Sequence, residues 1–207
     1  EMLVATKAVV QSDLSALISE LIDIDYKRFT FDQVKRMLGL MQKVVDMTRD
    51  FHQDMELREM IKKLGYPTDS ELLPTLIYEQ VAAETSIVHV LFVLYMDAEA
   101  PDRQSYANED LLKRMEFLLN EYVDVEKKAH ESEDEMEKKE NKRVAIASIP
   151  LMEEVVSGME KTPYDKFVSY CPTFYPLFVS MIRYSGEEVR AVLAQIFSSK
   201  ISQMLFK

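Results

Sequence analysis

Residues 71–97 read ELLPTLIYEQVAAETSIVHVLFVLYMD. The second half of this stretch, Ile87, Val88, Val90, Leu91, Phe92, Val93, Leu94, Tyr95 and Met96, has no polar face. A helix that is apolar all round is packed on several sides, so residues 71–97 are predicted to form the central core helix, with Pro74 tolerated in its first turn. The surrounding composition agrees. Four glycines and seven prolines, beside 13 methionines and 47% hydrophobic residues, suit long helices and leave little material for strands joined by tight turns. The expected class is therefore all-α, with about eight helices.

Helical periodicity extends this reading in both directions. Leu14, Leu17, Ile18, Leu21 and Ile22 mark a buried stripe on a first helix from about Leu3 to Ile22. A second helix starts at Thr30, where Thr30 and Gln33 form a capping-box pattern, and carries Val34, Met37, Leu38, Met41, Val44 and Val45. A third, near Asp54 to Leu64, is stopped by Gly65 and Pro67. A fifth begins around Asn108 and runs into residues 124–143, where eight acidic and six basic side chains predict a solvated helix with pairs such as Glu135–Lys139, or partial disorder. A sixth covers about Ile146 to Met159. Thr162 and Pro163 open a short helix that Cys171-Pro172 breaks or kinks. Ser185 and Glu188 read as a second capping box, for a last helix burying Val189, Val192, Leu193, Ile196 and Phe197. Short connections between these helices imply antiparallel hairpins, in a right-handed HEAT- or armadillo-like stack or an irregular bundle, forming one domain over 1–207.

Charge and chemistry narrow the function. Subtracting 36 acidic from 25 basic residues leaves −11, which opposes nucleic acid and anionic lipid and favours basic partners. The longest apolar run, Ile87 to Met96, is about half a bilayer span, so no direct membrane insertion is expected. Cys171 is the single cysteine, in keeping with a reducing cytoplasm. Starting at Glu1 without an initiator Met, the chain reads as a fragment of a longer protein. His52, His89 and His130 fall on three different helices without metal-ligand spacing, and His89 reads as a satisfied core histidine. Phosphate loops and nucleophile elbows are missing, and the carboxylates sit in mixed-charge faces. No metal, no cofactor and no catalytic residue are expected, and the chain reads as a helical interaction module rather than an enzyme.

Two stretches carry a resemblance. Phe51-His-Gln-Asp-Met-Glu56-Leu57-Arg58 leads through Gly65-Tyr66 to Leu72-Leu73-Pro74, then Gln80, Glu84-Thr85-Ser86 and Leu91-Phe92-Val93-Leu94-Tyr95. Later come Phe174-Tyr175-Pro176-Leu177, Glu188-Val189-Arg190-Ala191-Val192-Leu193 and Ile196-Phe197. In order and spacing, over roughly residues 31 to 197, these resemble the C-terminal helical region of the large brefeldin-A-inhibited guanine-nucleotide exchange factors for Arf GTPases. The match is incomplete, since three residues separate Gln80 from Glu84-Thr85 and the charged run 124–143 has no counterpart in the pattern. The resemblance implies a regulatory module of a trans-Golgi exchange factor, supporting vesicle trafficking through small GTPases of Arf or Rab type or through other domains of its parent. It also implies a cytoplasmic location, peripheral at the trans-Golgi network. The catalytic loop of the family's exchange domain has no match: Gly186-Glu187 is the single Gly-Glu, and capping accounts for it. The motif residues read mainly as structural, with Arg58 and Arg190 placed to clamp neighbouring helices.

Overall fold

The computed structural model describes residues 2–53, 72–97 and 99–205, with side chains at 13–49, 77–97 and 99–205. The fold is all-α and bundle-like, with no strand among the described residues. The chain divides into two compact units, Glu1–Val90 and Leu91–Lys207.

In the first unit, α1 (Met2–Asp25) ends in a 3-10 turn, Tyr26–Arg28, and packs along α2 (Phe31–Gln53). The start of α2 is fixed locally. The Thr30 amide donates to Gln33 Oε1 at 2.8 Å and the Gln33 amide to Thr30 Oγ1 at 3.3 Å, the reciprocal bonds of a capping box. From there Val34, Leu38, Met41, Val44 and Val45 are buried, while Met37 is only half-buried. On α1 the expected stripe is rotated. Ser15 and Ile22 face inward with Ile18 half-buried, whereas Leu14, Leu17 and Leu21 are exposed. The expected third helix, with Gly65 and Pro67, lies outside the described residues.

Gly39 lies inside α2 with nothing near the place a Cβ would occupy. Gly39→Ala is therefore expected to stabilise the chain by roughly 1 kcal/mol, because only the helix-propensity gain remains. Chemical denaturation checks this, and a lower midpoint at unchanged slope would contradict it.

Helix α3 (Leu72–Met96) supplies Val81, Ala83, Ile87, Val88 and Val90 to the first unit's core, and Leu91, Phe92, Leu94 and Tyr95 to the second's. Its segment Ile77–Met96 is long and apolar enough to cross a membrane by length and composition, longer than the ten-residue run suggested. More than half of it is buried in protein, a pattern that the core helix of a soluble domain also gives. His89 is less deeply placed than expected, with Nε2 3.5 Å from Asp23 Oδ1 on α1.

The second unit continues with α4 (Pro101–Glu131), α5 (Glu135–Ala147), α6 (Ile149–Lys161), α7 (Tyr164–Tyr184) and α8 (Glu187–Ile196), then a π-turn, Phe197–Ile201, and α9 (Ser202–Leu205). Helix α4 starts at Pro101, a proline at N1, seven residues before the expected Asn108. The charged run is ordered as a helical hairpin of α4 and α5. Tyr122, Glu126 and Ala129 recur at helical spacing and turn inward, so even this segment has a buried line. Asp134 caps α5 by accepting from the Met136 and Glu137 amides at 2.8 and 3.4 Å. Glu135 meets Lys138 at 4.0 Å, rather than the expected Lys139. Ile146 belongs to α5, and α6 starts after Ser148.

The largest departure is α7. Pro172 and Pro176 were expected to end or bend a short helix, yet the helix is assigned without interruption from Tyr164 to Tyr184. Phe167, Tyr170, Cys171, Phe174, Phe178 and Met181 are buried along one side, and that burial outweighs the local penalty. Both prolines are exposed, and the carbonyls of Val168 and Pro172 lose their i+4 donors. Neither predicted cap beside α7 forms. Thr162 Oγ1 donates back to Gly158 O at 2.9 Å, leaving Pro163 as the N-cap of α7. Gly186 is the N-cap of α8, and Ser185 is buried at the end of α7. Val189, Leu193 and Ile196 form the buried face of α8, with Val192 and Phe197 half-buried.

Two lysines close helix ends in this unit. Lys166 Nζ donates to Tyr95 O at 2.9 Å and lies 4.3 Å from the centre of the Tyr95 ring. Lys200 Nζ donates to Thr162 O at 2.7 Å, just past α6. Each supplies a cation to carbonyls at a C-terminal helix end.

Candidate functional site

The motif residues fall into three groups. Glu56, Leu57, Arg58 and Gly65 lie outside the described residues. Phe51, Leu73 and Pro74 are described only in backbone, within α2 and α3. Of the rest, most are framework. Phe92, Tyr95, Phe174 and Leu193 are buried, and Phe92 lies against Gly158 of α6 so closely that a side chain at 158 would enter its ring. Burial, followed by the charge of Asp165, raises the Tyr95 hydroxyl above its ordinary pKa. Glu84 is 2% exposed and its Oε1 is 3.5 Å from Arg49 Nη2 of α2, an interior ion pair that explains a glutamate in an apolar helix. Leu177 and Phe197 are half-buried, and the Tyr175 ring is 6.3 Å from that of Phe197. Pro176, Glu188 and Arg190 are exposed on the outer sides of α7 and α8, so Arg190 stands on the solvent side rather than in the expected position between helices.

Side chains with chemical potential are occupied structurally. Cys171 is buried, and burial pushes its thiol above the ordinary value, the reverse of an activated nucleophile. Tyr122 donates to Glu126 Oε1 at 2.7 Å inside the unit, and burial, then that bond, raises its hydroxyl. His130 Nδ1 lies 2.8 Å from Glu126 O, and the Tyr184 hydroxyl donates to Glu131 Oε1 at 2.8 Å. The Tyr184–Glu131 bond ties α4 to the end of α7, whereas the others lie within α4. Among the described residues, no group of His, Cys, Asp or Glu is arranged to hold a metal.

What the surface carries instead is apolar. On α1, Leu14, Leu17, Leu21 and Ile24 are 49, 51, 44 and 80% exposed. Their spacing of three, four and three places them along one helix face. On α7, Tyr175, Val179 and Ile182 are exposed at spacings of four and three, beside the rings of Pro172 and Pro176. Single exposed apolar residues are ordinary, but rows of three or four on one face are not. The sequence named Leu14, Leu17 and Leu21 for their periodicity and assigned them to the interior. Val179 and Ile182 lie outside every motif and capping pattern read from the sequence.

These features define an all-α, bundle-like protein whose recurring motif residues are largely framework and whose unusual surface consists of apolar helix faces. The BIG2 C-terminal domain family matches residues 9–198, and the chain belongs to that family. No curated protein and no solved structure matches the chain. This finding replaces the family drawn from the motifs. The assignment to a brefeldin-A-inhibited Arf exchange factor is corrected to membership of the BIG2 C-terminal domain family, and its function as a trans-Golgi regulatory and trafficking module is withdrawn with it. Small-GTPase partners were implied by that resemblance alone. An immunoglobulin-like sandwich, the fold of bacterial families with a similar label, does not describe this chain either, because its described residues are helical and contain no strand.

Proposed function

We propose that this chain is a non-catalytic protein-binding module that acts in a reducing, cytoplasmic setting. The observation that carries this reading is the row Leu14, Leu17, Leu21 and Ile24 on α1. Leaving four large aliphatic side chains in water on one helix face forgoes roughly 1 kcal/mol or more per residue, which a partner's apolar surface would recover. The net charge of −11 supports protein partners over nucleic acid or anionic lipid. Buried Cys171 and the interior Glu84–Arg49 pair support a structural use of the reactive groups.

The test is affinity capture with the unaltered chain, an α1 variant (Leu17→Asn with Leu21→Asn) and an α7 variant (Val179→Asn with Ile182→Asn), each checked for unchanged helicity and melting. A saturable partner retained by the unaltered chain and lost by one variant is the expected result. Equal capture by all three chains, or no saturable partner, would refute the reading.

A further inference from the structure

The α1 row has the spacing of a coiled-coil seam. With Leu14 and Leu21 as heptad positions a, Leu17 and Ile24 fall at d. The positions flanking that seam are then Asp13 and Glu20 at g, and Ile18 and Asp25 at e. Every charged flanking residue in this window is therefore acidic. Ser15 and Ile22, on the b positions, are buried in the first unit, so α1 is held by one face and offers the a/d seam with another.

The flanking charges discriminate between occupants. In a parallel pair of two copies, Glu20 of one copy would lie opposite Asp25 of the other; in an antiparallel pair, Asp13 and Glu20 would face each other. Both arrangements place like charges together, and neither relieves the other. A helix with its own apolar seam and lysine or arginine at its e and g positions meets no such conflict. Asp25 already holds Arg28 at 2.6 Å, so a basic group is accommodated along this helix. Glu79 of α3 feels the charge of Asp13 and adds to the negative field near this edge.

We infer that the Leu14–Leu17–Leu21–Ile24 face of α1 docks a basic amphipathic helix of a partner protein as a coiled-coil pair, and that its acidic flanks exclude a second copy of this chain. This inference rests on the protein-binding reading above and names the chemistry of the partner.

The full chain is titrated by fluorescence anisotropy with two designed heptad peptides of identical leucine seams, one with Lys and one with Glu at every e and g position. The Lys peptide should bind at least about tenfold more tightly at low salt, with the difference narrowing as salt is raised. Binding should be lost in the Leu17→Asn/Leu21→Asn variant at unchanged melting temperature. An Asp13→Lys/Glu20→Lys/Asp25→Lys variant should reverse the preference toward the Glu peptide. Equal binding of both peptides, no binding, or an unreversed preference would overturn the inference. So would a dimer of the chain alone in sedimentation that the asparagine variant dissolves. If affinity capture shows partners that depend only on Val179 and Ile182, the inference fails while the protein-binding reading stands.

Discussion

Gly158→Ala is expected to destabilise the protein, reversing the usual sign of a glycine-to-alanine change within a helix. Ordinarily the substitution gains about 1 kcal/mol of helix propensity. At this position the new methyl would lie within the volume of the Phe92 ring, which is itself buried. Phe92 has no exposed side to move toward, so the cost is overpacking, about 1–3 kcal/mol in a well-packed core, and here at the upper end because an entire ring must shift. After the propensity gain is subtracted the net loss is roughly 2 kcal/mol, or a fall in melting temperature of about 5 °C for a chain of this size. The comparison with Gly39→Ala is internal: same substitution, same secondary structure, opposite direction. If both variants were stabilised, the close approach of α3 and α6 at these two residues would be wrong.

The second large effect is expected at Phe174→Ala. Phe174 is almost fully buried on α7 and packs edge-on against Tyr170, with ring centres 5.7 Å apart at 76°. Tyr170 in turn meets Phe167 at 5.4 Å and 72°, so the middle ring of a three-ring row would lose one neighbour. Truncating a buried phenylalanine costs about 3–5 kcal/mol, part of it from the lost aromatic geometry. The melting temperature should fall by roughly 10 °C. The loss should also weaken the force that keeps α7 helical through Pro172 and Pro176, so the variant should lose helical circular dichroism before its global transition. A fully cooperative, unchanged transition would show that the aromatic row does not hold the proline segment.

These two sites also show what the sequence could and could not convey. The α2 start was legible because Thr30 and Gln33 bond to each other, three residues apart, and need nothing from the rest of the chain. The core position of residues 81–95 was legible because an all-apolar helix has few alternatives. The course of α7 was not, since Pro172 and Pro176 send a strong local signal for a break while the countervailing burial of Phe167, Phe174 and Phe178 depends on distant helices. The face of α1 was ambiguous for another reason. Ile18 and Ile22 share the helix with Leu14, Leu17 and Leu21, and periodicity finds apolar lines without saying which one the interior takes. The predicted Ser185–Glu188 box failed because Ser185 is drawn inward at the end of α7, facing Tyr122 rather than the start of α8. Phe92, Phe174 and Leu193 of the motif are buried, while the family that the motif suggested is replaced by the match to the BIG2 C-terminal domain family.

The lysines that close α3 and α6 have a consequence for chemical modification. Lys166 reaches a carbonyl 71 positions away and Lys200 one 38 positions away, so each ammonium records an encounter between distant parts of the same unit. Acetylating Lys166 would convert its ammonium into a neutral amide, removing the charge held over the Tyr95 ring and the strongest donor to Tyr95 O. An acyl-transfer reagent applied to the native protein should therefore spare these two amines relative to Lys113 and Lys128, whose partners are side chains on exposed helix turns. The pattern of spared amines would then serve as a ruler of assembly, reporting residue by residue when distant helix ends have found each other.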